Sequence, residues 1–152
     1  MTQGSEIFRL EAMKKIVHGD LFAWKNPVIT IMTRGRTYGA LSRQVAKLGV
    51  PLPDLVLGCA AFHDPYIFVA LWEDESTYTP RLFAGCGASI LNAASRANVP
   101  LVAIPLLGDK KQAVENLGFV EKALCDTADE LDARERLVPD WVYVTAGFVD
   151  VE

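Results

Sequence analysis

Basic residues and glycines follow two predicted buried strands, where each strand gives way to a helix. Arg34, Gly35, Arg36 and Gly39 come after Val28–Met32, and Gly108, Asp109, Lys110 and Lys111 come after Leu101–Pro105. Glycine lets a backbone approach a ligand closely, basic side chains balance phosphate charge, and a helix amino terminus adds N–H donors. In open α/β sheets, ligands bind at the carboxyl ends of the strands, so the loops predict a cleft for a phosphate-bearing small molecule. Ordinary solvated turns of the same composition are the alternative.

Other residues that carry chemistry form no catalytic or metal-binding pattern in the sequence. His18 ends a predicted strand and His63 lies in a predicted hairpin turn, so structural roles are expected for both. The acidic run Glu73–Glu75 could hold a cation or act as acid or base, but a solvated strand end is favoured. Gly85–Ser89 resembles the start of a dinucleotide-binding fingerprint but has no strand before it, which favours close helix packing.

Composition narrows the class of protein further. The 152 residues are 51% hydrophobic and 22% charged with a net charge of −4, which predicts one globular domain over residues 1–152. That charge argues against a general nucleic-acid or membrane binder. Three cysteines without a CxxC spacing, Cys59, Cys86 and Cys125, predict reduced thiols and no metal site. With no secretory pattern at the start of the chain, a cytoplasmic location is expected.

The elements that must position these loops alternate between strand and helix. Strands are predicted from β-branched and apolar runs at residues 7–10, 15–18, 28–32, 55–62, 66–72, 101–105 and 141–145. Helices are predicted from apolar periodicity and end signals at residues 39–48, 80–97, 112–124 and 127–137, the last opened by a capping box at Thr127–Glu130. The order implies a mixed sheet with helices on its faces. Residues 1–12 are expected to be an N-terminal extension or an edge strand.

Short motifs in this order resemble the macro domain family, in particular the terminal ADP-ribose protein glycohydrolase branch. Val17–Phe22 resembles that branch's opening strand and its Gly-Asp-Leu-Phe turn. Tyr66–Val69 with the following Pro80 resembles its hairpin strand and next helix, and Val102–Gly108 resembles the strand that runs into its phosphate loop. The match in order covers about residues 14–146.

The resemblance implies a three-layer α/β/α sandwich with a mixed central sheet and an ADP-ribose cleft. Asp20 would accept a hydrogen bond from the adenine amino group, with help from the Leu21 backbone. The loop Thr33–Gly39 would lie along the distal ribose and pyrophosphate, and Gly108–Lys111 would close over the phosphates.

The resemblance also places catalytic positions, and the residues found there differ from those of the branch. Its nucleophilic lysine matches Glu73, and its aspartate matches a position near Gln112, with Asp109 displaced by three residues. We therefore expect a module that binds ADP-ribose or a related nucleotide without catalytic residues or a cofactor. A scaffold with a vestigial cleft, bound to a protein or to a second copy, ranks second. A hydrolase with Glu73, Asp109 or His18 as base ranks third.

Overall fold

The computed structural model describes residues 3–74, 78–108 and 110–145, and the side chains of residues 3–5, 110 and 111 are left out of that description. Four helices are formed: α1 Gln3–Met13, α2 Gly39–Lys47, α3 Pro80–Arg96 and α4 Lys110–Ala133. Seven strands accompany them: β1 Ile16–His18, β2 Val28–Met32, β3 Arg36–Thr37, β4 Ala60–His63, β5 Tyr66–Trp72, β6 Leu101–Pro105 and β7 Asp140–Thr145. In the described part of the chain, no helix is both long and apolar enough to cross a bilayer.

The strands form two ladders that meet at one point. One ladder has the order β1-β7-β6 with parallel pairing, and the other has the order β3-β2-β5-β4 with β2 and β5 parallel. A parallel bridge between Pro27 and Ala103 joins β2 to β6 at the start of β2. Because β1, β7, β6, β2 and β5 run in one direction, their carboxyl ends share one edge, which we call the carboxyl edge.

Alternating side chains divide the core between the two faces of the sheet. Val28, Val102 and Tyr143 belong to the larger cluster, which packs with α1, α3 and α4. Ile29 and Ala103 belong to the smaller cluster, which packs with α2. This three-layer arrangement confirms the predicted α/β/α sandwich with a mixed sheet.

Of the two glycines of α3 that were expected to serve helix packing, only Gly87 does so. A Cβ at Gly87 would lie 3.0 Å from the carbonyl oxygen of Val120 and 3.4 Å from the Cβ of Ala123, both in α4. A Cβ at Gly85 would meet nothing within 4 Å. Gly87 therefore allows α3 and α4 to pack closely, and Gly85 has no such role.

The edge strand predicted at Ile7–Leu10 is wrong, because residues 3–13 form helix α1. Alternation over so few residues does not separate a strand from a helix. Here the helix buries Ala12 completely, and Arg9 pairs with Glu6 one turn earlier at 2.6 Å. Packing against α4 decides the outcome, and it leaves Ile7 and Leu10 exposed.

Two other element predictions are corrected by the structure. Residues 110–133 form one helix instead of two, and Thr127 is buried inside it, so there is no capping box. The first hairpin strand, predicted from residue 55, begins at Ala60. Gly58, in the left-handed region at φ 81°, precedes it in a turn. The strands at 28–32, 66–72 and 101–105 have the predicted bounds.

Candidate functional site

The loops predicted to bind a ligand, and the acidic segment that follows β5, all leave the sheet at the carboxyl edge. Asp20 follows β1, Gly108 follows β6, Arg34 follows β2 and Asp74 follows β5. Strands β7 and β6 lie between β1 and β2, so Asp20 and Arg34 leave strands three positions apart. At a spacing of about 4.8 Å per strand, this separation is roughly 14 Å across the sheet. The sequence-predicted residues thus line one extended edge and do not form a compact cluster.

Asp20 lies at the start of the turn that follows β1. One carboxylate oxygen, Oδ1, accepts a hydrogen bond from the backbone N–H of Phe22 at 2.9 Å and caps the 3-10 turn Leu21–Ala23. The side chain is exposed. The Leu21 side chain is buried in the smaller core cluster, so it cannot itself contact a ligand.

The two arginines of the loop after β2 converge on one carboxylate. A guanidinium nitrogen of Arg34 lies 3.0 Å from Oδ2 of Asp74, and one of Arg36 lies 2.9 Å from Oδ1. The hydrogen bond and charge of Arg36, with a smaller contribution from the charge of Arg34, lower the pKa of Asp74 below its ordinary value. The loop therefore presents two guanidinium groups aimed at a single anion.

The backbone of this loop is held in the left-handed region at successive residues. Arg34 has φ 63° and Gly35 has φ 65°, and a Cβ at Gly35 would lie 2.8 Å from the carbonyl oxygen of Leu52. Arg36 is further anchored by a hydrogen bond from its Nε to the carbonyl of Thr33 at 3.0 Å. Gly39, at φ 78°, begins α2. The backbone conformation of the loop and the side chain of Arg36 are therefore both constrained.

The loop after β6 packs under an aromatic cluster. Gly108 has φ 93°, and a Cβ there would lie 3.3 Å from the ring of Phe83 and 3.7 Å from that of Tyr78. The ring of Tyr78 stacks at 4.8 Å from that of Trp72 and 5.5 Å from that of Phe83. Lys110 begins α4, but its side chain and all of Asp109 lie outside the described residues. Of the predicted residues in this loop, only Gly108 is placed in detail.

A second polar cluster lies inside the larger core, away from the carboxyl edge. Glu121 is 2% exposed and accepts hydrogen bonds from the indole N–H of Trp141 at 2.8 Å and the hydroxyl of Tyr143 at 2.6 Å. Lys15 lies 2.8 Å from its other oxygen. Burial, together with the charge of Glu121, raises the pKa of Tyr143 above its ordinary value. We call these four residues the Glu121 cluster.

No protein-family model matches the sequence, and no curated protein matches it either. A solved structure does: the macrodomain of Mycobacterium tuberculosis DarG is similar to this chain with a TM-score of 0.56 and 17% sequence identity. The similarity covers 87% of this chain and 98% of that structure. This chain has a macrodomain fold. That likeness and the sheet topology agree with the resemblance drawn from the sequence motifs.

On this macrodomain fold, the residues at the matched catalytic positions follow different strands of the sheet. Glu73 is exposed directly after β5, beside Asp74, and Gln112 is half-buried in the first turn of α4. His18, the last residue of β1, is exposed. His63 stacks edge-on against Phe68 at 5.9 Å in the hairpin, which fits its expected structural role. Across the described ranges, no three His, Cys, Asp or Glu side chains come together in a way that could hold a metal ion.

The ion pairs of Asp74 were missed by the sequence analysis, which interpreted this residue as part of a solvated strand end. Arg34 and Asp74 are 40 positions apart in the chain. The sequence does contain a signal for these ion pairs: basic residues follow β2 and acidic residues follow β5, and the two strands are parallel neighbours. Without the pairing of β2 with β5, that signal could not be recognised.

Proposed function

We propose that this protein binds ADP-ribose or a related adenine nucleotide along its carboxyl edge and does not hydrolyse it. The observation that carries the proposal is Asp20 on a macrodomain fold. Its exposed carboxylate, with one oxygen committed to the N–H of Phe22, keeps its other oxygen available to an adenine amino group. A hydrogen bond to a charged group is worth about 1.5–3 kcal/mol, which is enough to select adenine.

Arg34 and Arg36 would receive the phosphate groups of this ligand. Their present partner, Asp74, is 56% exposed, and Arg34 is 66% exposed. Exposed ion pairs of this kind are worth roughly 0–1 kcal/mol, so exchange of the carboxylate for a phosphate is energetically easy. A phosphate also offers more acceptor oxygens than a carboxylate, and arginine binds it with two parallel hydrogen bonds. The ion pairs with Asp74 therefore hold the loop in its conformation without blocking a phosphate from the two arginines.

The proposed absence of hydrolysis rests on the residue types at the family positions. A glutamate at 73 cannot form the imine-type adduct that a lysine nucleophile forms. Both carboxylate oxygens of neighbouring Asp74 are bound by Arg34 and Arg36, and these partners lower its pKa, which makes it a poor proton acceptor. Gln112 does not titrate.

Calorimetric titration with ADP-ribose, AMP and ATP tests the binding. We expect saturable binding that prefers ADP-ribose and weakens about tenfold or more in Asp20→Ser. Serine can still cap the turn through its hydroxyl, so the fold is kept while the second oxygen is lost. Asp129→Ser, an exposed site on α4, is the matched control and should bind normally.

No heat with any nucleotide would contradict the proposal and favour a scaffold, which light scattering across concentrations would then test as a self-associating protein. Unchanged affinity in Asp20→Ser would remove Asp20 from the site. Release of ADP-ribose from a modified protein, lost in Glu73→Gln, would overturn the proposed lack of hydrolysis.

A further inference from the structure

A cavity of about 530 Å³ lies at the edge of the sheet opposite the carboxyl edge. It is bounded by the carboxyl end of α3 and by the segment that follows α4, which lead into the amino ends of β6 and β7. Three arginines, Arg96, Arg134 and Arg136, line it. We call it the basic cavity. Its volume is within the range of small-molecule binding sites.

The basic cavity has an excess of positive charge. None of its three arginines forms an ion pair with a residue that the structure describes, and Glu135 is the acidic residue in its wall. The carboxyl ends of α3 and α4 each add about half a negative charge. Three positive charges, less one for Glu135 and about one for the two helix ends, leave a surplus of about one positive charge. The positive charge of the three arginines is therefore larger than the negative charge of Glu135 and the two helix ends together.

The walls of the basic cavity are fixed in place. The hydroxyl of Ser95 in α3 donates to the carbonyl of Leu137 at 2.6 Å, which ties α3 to the segment after α4. The backbone N–H of Arg136 donates to the carbonyl of Leu131 at 2.9 Å and closes the end of α4. Such cross-ties fix the backbone segments that carry the arginines before any ligand arrives, which lowers the ordering cost of binding.

The rest of the lining fits a small polar molecule. Asn92 and Asn98 contribute amide groups that can donate and accept hydrogen bonds, and Leu131 and Leu137 contribute apolar surface. A long polyanion fits poorly, because the positive surplus is confined to one concavity on a chain with a net charge of −4. A single phosphate group on a compact polar body matches both the charge and the lining.

We propose that the basic cavity binds a small phosphate monoester, with its phosphate held by Arg96, Arg134 and Arg136. Guanidinium groups bind phosphate oxygens with paired hydrogen bonds, and the two amides would contact the hydroxyl groups of the organic part. This site is separate from the carboxyl edge and does not depend on nucleotide binding there.

Amide NMR titration with ribose 5-phosphate, with ribose and inorganic phosphate as parallel probes, tests the proposal. We expect ribose 5-phosphate to shift the amides of residues 92–98 and 131–137, and ribose to shift none of them. Arg134→Gln should weaken binding about tenfold or more. Arg43→Gln, which removes the same charge from an exposed position on α2, should leave it unchanged.

Three results would overturn the proposal: no shifts at residues 92–98 and 131–137, equal affinity in Arg134→Gln and Arg43→Gln, or inorganic phosphate binding as tightly as the monoester. Shifts confined to residues 18–23 and 33–39 would place the bound probe at the carboxyl edge and would also contradict binding in the basic cavity. Each variant replaces an exposed side chain, and matching melting temperatures would confirm that the variants fold.

Discussion

Replacing Glu121 by leucine tests whether the Glu121 cluster stabilises the fold. Leucine is similar in volume, so the change removes the acceptor without opening a large cavity. Trp141 is 7% exposed and Tyr143 is 0% exposed, so the indole N–H and the phenol hydroxyl would both lose their partner inside the core. Each buried donor left unpaired costs about 1–3 kcal/mol, which gives an expected loss of about 2–6 kcal/mol for the two donors.

Lys15 adds little to this loss. It is 35% exposed, so its ammonium group can turn toward water when the carboxyl group is removed. Its position 4.2 Å from the centre of the Trp141 ring remains available to it. Glu121→Gln keeps an acceptor oxygen for both donors and should therefore cost only about 1 kcal/mol.

Urea unfolding followed by tryptophan fluorescence measures these differences. Glu130→Leu, an exposed site on the same helix, should stay within about 0.5 kcal/mol of the natural protein. Adding Tyr143→Phe to Glu121→Leu removes one of the two unpaired donors with little change in volume and should recover part of the loss, since an apolar replacement of similar volume is often neutral. A Glu121→Leu protein within about 0.5 kcal/mol of the natural one would refute the reasoning.

Three further predictions concern packing, titration and ligand binding. Gly87→Ala should lower the free energy of unfolding by about 1–3 kcal/mol because its Cβ would press on α4, whereas Gly85→Ala should leave it unchanged or raise it; equal melting temperatures would contradict this. Burial raises the pKa of Cys86 to about 12 from 9.0, so a thiol reagent at pH 8 should label exposed Cys59 and spare Cys86. Because folding raises that pKa, stability is unaffected below pH 9.0 and falls progressively as the pH rises from 9.0 to about 12, so Cys86→Ala should show a smaller alkaline loss. Asp74→Asn should tighten ADP-ribose binding several-fold in calorimetry by releasing the two arginines, and weaker binding would mean that the carboxylate positions them.

The local sequence was sufficient to predict those elements in which tertiary packing favours the same structure as the local pattern. Val28–Met32 and Leu101–Pro105 are apolar, flanked by proline or glycine, and too short for helices, and the structure has them as strands with those bounds. The strand predicted at residues 7–10 and the helix start predicted at Thr127 were wrong. In both places the local signal was a few residues long, and packing of α1 and α3 against the long helix α4 decided the structure.

The sequence by itself determined which loops carry glycine and basic residues, and the motif order pointed to the macrodomain fold. It could not determine what those residues contact. The pairing of Arg34 with Asp74 spans 40 positions, and that of Lys15 with Glu121 spans 106. The basic cavity likewise joins Arg96 to Arg134 from the ends of two different helices. Such contacts depend on strand order and helix packing, which no local pattern encodes, so the tertiary structure alone decided where charge is paired and where it remains available to a ligand.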